Sequence, residues 1–251
     1  MTLNEIDLIA VLVIGLAYFL AGISKGAIGF GTPLVAVPLV ATILPVPVAI
    51  ALTVAPILTA NLHLTVTAAR PAAVMRRFWP LILFLVLGTA IGAQILTRVD
   101  QATISIVVGV VLLAFVTAQF LDLRPEVPAA AERWLGPAVG LASGLLGGVA
   151  GMMGPPFIVY MVSLRLPRDE FVGTISMFYL IGIIPLYVTL IVSGIIAWDE
   201  AIVSVLACAP LFAGIALGAW LRGRVSRTGF QRALLAMIFI VGLNLIRRGF
   251  A

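Results

Sequence analysis

Long apolar runs alternate with short polar turns along the whole chain. The runs cover roughly residues 6–24, 33–45, 48–68, 79–97, 102–121, 135–150, 155–165, 170–193, 200–221 and 229–247. Most approach the ~20 residues that a helix needs to cross a hydrocarbon core of about 30 Å. They are too long and too closely spaced for barrel strands, which alternate apolar and polar positions over about 10 residues. The pattern predicts an all-α polytopic membrane protein with about ten transmembrane segments. Two runs are short. Pro33, Pro38, Pro45 and Pro47 punctuate the second, and Pro155 and Pro156 open the seventh. Thirteen helical residues rise only about 20 Å, so these two are expected to be broken or short helices.

The chain also repeats itself. Gly22-x-x-Lys25-Gly26-x-x-Gly29-Phe30 aligns with Gly140-x-x-Ser143-Gly144-x-x-Gly147-Gly148. Further on, Gly88-Thr-Ala-Ile-Gly92-Ala aligns with Gly214-Ile-Ala-Leu-Gly218-Ala, Arg98-Val-Asp100 with Arg224-Val-Ser226, and Thr53 with Thr174. The matches fall in order, with little drift in their offset. They predict two five-segment repeats, residues 1–121 and 134–251, joined by a cytoplasmic loop at 122–133. Five is odd, so the repeats face opposite ways in the membrane, an arrangement that recurs in secondary transporters. In each repeat the second segment is the short one.

Charge orients this scheme. Arg70, Arg76 and Arg77 form one cluster between segments, and Arg222, Arg224 and Arg227 another. If all ten segments cross, both clusters lie inside, the Trp198-Asp199-Glu200 turn lies outside and both termini lie outside, as the positive-inside rule requires. Arg247 and Arg248 near the C-terminus count against it. Glu5 and Asp7 before the first run are unlike the basic start of a signal peptide, so the first segment is expected to stay in the mature protein. Trp79, Trp134 and Trp198 flank segment ends, where interface anchors belong.

Composition agrees. Hydrophobic residues make up 63% of the 251 and charged residues 10%, against roughly 45–50% and about 25% in soluble domains. The net charge of +5 is read as topogenic, so no nucleic-acid partner is expected; the bilayer is. Cys208 is the single cysteine, which excludes an internal disulfide.

The ten acidic residues all fall in or beside predicted loops. Ionisable groups at membrane depth mark ion and proton paths, so a carboxylate-based cation or proton site has no candidate. There is no phosphate-binding P-loop, no nucleophile elbow and no cysteine–histidine cluster. No enzyme activity, cofactor or metal is expected. The polar equipment suits an anion. The stretches 22–32 and 140–154 are expected to be unwound, exposing backbone N–H groups. The helices that follow each present a positive N-terminus. Lys25, the only lysine, supplies charge. The expected substrate-binding residues are Lys25, Gly26, Gly29, Thr32, Asn61, Ser143, Gly144, Gly147 and Thr174, with His63 as the candidate for proton coupling.

Each has a plainer alternative. Lys25 can snorkel at a helix end. The glycines can serve close helix packing. His63 can be a structural or interfacial histidine. Asn61 and Gln94 can bond between helices. Thr53, Thr174 and Ser176 can bond their own backbone.

The paired motifs, Gly22-x-x-Lys-Gly-x-x-Gly-Phe-Gly-Thr-Pro33 and Gly140-x-x-x-Gly-x-x-Gly-Gly-x-x-Gly-x-x-Gly-Pro-Pro156, resemble the sulfite exporter TauE/SafE family, the toluene-sulfonate uptake permeases. The resemblance spans essentially the whole chain. It implies a secondary transporter in a bacterial or archaeal plasma membrane that moves sulfite, organosulfonates or related anions, often outward, by alternating access between the repeats. An anion channel with the same glycine-lined path is the alternative. The oligomeric state stays open between monomer and homodimer.

Overall fold

The computed structural model describes residues 8–28, 31–68, 71–121, 127–222, 224 and 226–250. They form twelve helices: α1 Leu8–Ile28, α2 Thr32–Val40, α3 Val46–Ala51, α4 Val54–Ala68, α5 Pro71–Arg98, α6 Gln101–Phe120, α7 Ala129–Ala150, α8 Gly154–Ser163, α9 Arg168–Val192, α10 Trp198–Leu206, α11 Cys208–Leu221 and α12 Arg227–Phe250. No strand occurs among the described residues. In hydrocarbon every backbone group must be satisfied within the segment, and a helix does this without a partner. Seven described stretches are long and apolar enough to cross a bilayer. Their outward faces are bare hydrocarbon: Leu8, Leu12 and Leu16 of α1 are exposed, whereas Tyr18 and Ala21 are buried.

The two short apolar runs become α2 and α8, of 9 and 10 residues. Two further runs divide, α3 from α4 at Leu52–Thr53 and α10 from α11 at Ala207. Proline causes both divisions. Pro56 and Pro210 have no N–H for the carbonyl four residues back, and their rings clash with it. At the first division a serine takes the missing donor's place. The hydroxyl of Ser204 donates to Leu52 O at 2.9 Å and accepts the Ala55 N–H at 2.9 Å. Ser204 is 1% exposed. Ser204→Ala is therefore expected to lower stability by about 1–3 kcal/mol, the cost of stranding a buried polar group, read as a lower midpoint of thermal unfolding in detergent.

The chain forms two compact units that cut across the sequence halves. Unit 1 holds Met1–Pro56, Asp100–Val116 and Ile191–Ala251; unit 2 holds Ile57–Val99 and Thr117–Leu190. Each therefore draws helices from both halves of the sequence.

In unit 1, α1 packs along α11. Gly22 and Gly26 meet Gly214 and Gly218. Spacing of four places each pair on one helix face. At each of these glycines a methyl group would lie no more than 2.5 Å from a backbone carbonyl oxygen of the other helix. Contact this close is the small-residue mode of membrane helix association. Both numberings rise together, so the helices run parallel. Two arginines bond backbone carbonyls near the end of α1 and past the end of α2. Arg222, one turn beyond Gly218, donates to the Gly26 carbonyl. Arg248 of α12 donates to the carbonyls of Ala41 and Thr42, just past α2.

In unit 2, α5 and α7 pack in the same way, through Gly88 and Gly92 against Gly140, Gly144 and Gly148, again in parallel and again with methyl-to-carbonyl distances of at most 2.5 Å. Phe78 departs from helical angles (φ −110°, ψ 15°), a kink that Pro80 accounts for. Phe178 of α9 meets Phe78 of α5 and Phe157 of α8 edge-on, with centroids 5.6 and 5.5 Å apart, and ties the three helices together.

The aligned ends Asp100 and Ser226 do the same local job. Asp100 precedes α6 and accepts the Thr103 N–H at 2.9 Å; Ser226 precedes α12 and accepts the Gly229 N–H at 3.3 Å. Both are N-caps. The Thr103 amide and hydroxyl hold the Asp100 carboxyl below the usual carboxylate range. A depressed folded value means that this cap contributes above the unfolded carboxylate's range and is lost only as pH falls through the lowered value.

Candidate anion site

The breaks are much shorter than the glycine content suggests. Helix α1 runs unbroken through Gly22 and Gly26 to Ile28, and α7 through Gly140, Gly144, Gly147 and Gly148 to Ala150. The expectation that 22–32 and 140–154 unwind is corrected: the helical glycines pay their conformational cost through packing contacts that a larger residue would block. The turns concentrate at two left-handed glycines, Gly31 (φ 108°) and Gly151 (φ 70°). No side chain is comfortable there.

In unit 1 the break places Lys25 in the last turn of α1 and Thr32 at the first position of α2. Lys25 is 8% exposed and Thr32 1%. The Thr32 hydroxyl has no protein hydrogen-bond partner. Pro33 has no N–H and Val35 N–H already bonds Gly31 O at 3.1 Å, so the amides of Thr32 and Leu34 are the ones that α2's first turn can offer. Gly26 is not available as a ligand surface on its Cα face, which the backbone of Ile215 and Ala219 fills. Gly29 lies outside the described residues.

In unit 2 the break at Gly151 is followed by α8, whose Pro155 and Pro156 remove two donors from its first turn. Fewer amides than expected are left, and hydroxyls matter more. Ser143 of α7 and Thr174 of α9 are both fully buried, and neither hydroxyl has a protein partner. Thr174 thus does not bond its own helix, unlike Thr53, which donates to Ile50 O at 2.6 Å. Asn61 is buried and donates to Ile57 O of its own helix at 2.8 Å. Gly144 packs on Leu85 and Thr89 as Gly26 packs on α11. Gly147 is looser: a methyl there would meet Met153 and the Thr89 hydroxyl at 3.6 and 3.7 Å, ordinary contact distances. His63 lies in α4, and its side chain is outside the described part of the structure. Gln94 is exposed.

Unit 1 therefore gathers Lys25 and Thr32 at one break, and unit 2 contains Asn61, Ser143 and Thr174. Sequence reading missed Arg222, taken there for a topogenic charge. Its signal was its place one turn past Gly218, on the face that meets Gly26. Arg222→Ala is expected to cost about 1 kcal/mol, at the low end for a bond to a charged donor because the arginine is exposed, seen as a small fall in thermal midpoint.

Buried hydroxyls without partners are donors waiting for an acceptor, and oxyanions are acceptors that a hydroxyl, an amide and a lysine can share. No curated protein and no solved structure matches the chain. A model of the family described as sulfite exporter TauE/SafE matches residues 14–245. That is nearly the whole length, from within α1 to near the end of α12, and it includes both breaks. This multi-pass membrane protein thus belongs to the sulfite exporter TauE/SafE family of membrane transporters.

Proposed function

We propose that the protein is a secondary transporter of small sulfur-containing oxyanions, sulfite or an organosulfonate, working as an exporter in the plasma membrane of a bacterial or archaeal cell. The observation that carries this reading is the set of buried, unpartnered hydroxyls of Thr32, Ser143 and Thr174. Leaving a buried hydroxyl unpaired costs about 1–3 kcal/mol. An oxyanion accepting from such groups recovers that cost. Lys25 supplies the fixed positive charge; its repeat counterpart, Ser143, supplies only a hydroxyl. Asn61 and Gly147 are the remaining candidates on the lining.

Alternating access between the two inverted repeats is the proposed mechanism. Each unit has one glycine-packed helix pair and one break at a left-handed glycine, which supplies two equivalent moving parts. Outward movement of an anion needs no coupled ion in principle. An inside-negative potential contributes about 2.3 kcal/mol per charge per 100 mV, roughly fiftyfold in the concentration ratio.

The test is purified protein in liposomes loaded with labelled sulfite. Efflux is expected to saturate with sulfite, to show counterflow, and to accelerate when an inside-negative potential is imposed. Absence of sulfite and sulfonate movement refutes the substrate assignment. Unitary currents without counterflow refute alternating access in favour of a channel.

A further inference from the structure

Unit 2 contains a cavity that the transport reading does not use. It has a volume of about 440 Å³ and opens where α5 and α7 begin. Arg77, Trp79, Glu132, Arg133, Gly136 and Tyr160 line it.

Its chemistry is cationic on balance. Arg77 and Glu132 form a two-pronged pair, Nε to Oε1 at 2.8 Å and Nη2 to Oε2 at 3.0 Å, so these two charges largely answer each other. Arg133 adds an exposed guanidinium that the pair does not neutralise. Tyr160 is 4% exposed, and its hydroxyl has no protein partner. That hydroxyl lies 3.4 Å from where a side chain on Gly136 would begin, and both residues line the cavity. A buried hydroxyl donor and a guanidinium lining one cavity with Trp79 are the groups a tetrahedral oxyanion with an apolar neighbour would use.

The cavity's depth in the bilayer narrows the ligand. Trp79 is 59% exposed and Trp134, next to Arg133, is 76% exposed. Exposed tryptophans beside arginines mark the headgroup level of a membrane.

We infer that this cavity binds a phosphate group at the membrane surface through Arg133 and Tyr160, with the Arg77–Glu132 pair holding α5 to α7 around it. A phosphate at that level can belong to an anionic phospholipid headgroup or come free from the aqueous phase. The Glu132 carboxylate on the same wall disfavours an anion that displaces its arginine. The bound group therefore leaves the Arg77–Glu132 pair intact.

The experiment uses the full chain in detergent, titrated separately with short-chain phosphatidylglycerol, short-chain phosphatidylcholine and inorganic phosphate. Binding is read by thermal stabilisation and by tryptophan fluorescence. Phosphatidylglycerol is expected to bind, and Arg133→Gln and Tyr160→Phe each to weaken it at least tenfold. Gly136→Leu, which fills the cavity, is expected to abolish it. Phosphatidylglycerol binding with no response to inorganic phosphate assigns the site to lipid. Saturation by inorganic phosphate, lost in the same variants, assigns it to the free anion. Phosphatidylcholine binding as tightly as phosphatidylglycerol, no binding of any of the three, or binding unchanged in both Arg133→Gln and Tyr160→Phe overturns the inference. Folding of each variant is checked by its elution profile; Tyr160→Phe keeps the ring and so retains a readout if Gly136→Leu does not fold.

Discussion

Gly144→Ala is expected to lower the thermal midpoint by about 4–10 °C, whereas Gly147→Ala, three residues along the same helix, raises it or leaves it unchanged. Both replace a helical glycine with the best helix former, which by itself favours the folded state by roughly 0.5–1 kcal/mol. Their surroundings decide the sign. At Gly144 the new methyl runs into the Leu85 carbonyl and stands 2.8 Å from the Thr89 nitrogen, both of them backbone of α5. Backbone cannot step aside as a flexible side chain can, so α5 and α7 must separate along the whole stripe. Overpacking of this kind costs about 1–3 kcal/mol, sometimes more. For a chain of this size each kilocalorie moves the midpoint by about 2–4 °C. At Gly147 the nearest atoms are side-chain atoms at 3.6 and 3.7 Å, and nothing has to move. Equal midpoints for the two variants would show that the stripe does not hold the helices together. Gly26→Ala and Gly214→Ala in unit 1 should behave like Gly144→Ala, because the same type of contact holds α1 to α11.

The second expectation sets stability against transport. Thr174→Val and Thr32→Val remove a buried, unpartnered hydroxyl and keep nearly the same shape; Ser143→Ala removes one as well. Since the hydroxyl has no protein partner to lose, stability is expected to hold or to rise by about 1 kcal/mol. Sulfite transport should fall by tenfold or more. A hydrogen bond to a charged group contributes about 1.5–3 kcal/mol, and every 1.4 kcal/mol is tenfold in affinity. The loss should appear as a higher half-saturation concentration in the liposome assay. A threonine that served only the fold would give the opposite pair of results, lower stability with transport intact, and that outcome removes the residue from the site. Lys25→Gln is the companion variant: it tests whether fixed charge, as distinct from hydroxyls, sets anion affinity.

Much of the fold is legible in the sequence. The ten apolar runs correspond to helices because a backbone without water has few other ways to satisfy itself. Pro33 and the Pro155–Pro156 pair correctly mark α2 and α8 as short elements. Asp100 and Ser226, aligned in the sequence, turn out to cap α6 and α12. The role of the glycines was harder to read. Four-residue spacing puts Gly22 and Gly26, or Gly140 and Gly144, on one face, but that spacing fits both a ligand surface and a packing seam. Which one holds depends on what lies opposite, and only the tertiary structure brings up α11 and α5.

The sequence by itself thus determined the class of the molecule: an all-helical membrane protein with α2 and α8 short and a lysine beside the first break. Hydropathy and proline chemistry act locally, and local rules suffice for those features. The tertiary structure decided the rest. It kept α1 helical through Gly22 and Gly26 to Ile28 and α7 helical to Ala150, and filled the Cα faces of Gly26 and Gly144 with neighbouring backbone. It turned Arg222 and Arg248 into clamps on carbonyls, one near the first break and one past α2. It also left Thr32, Ser143 and Thr174 buried with their hydroxyls unpaired. Each of these outcomes depends on contacts between residues distant in the chain, so the physical reason lies in packing, which no local pattern encodes.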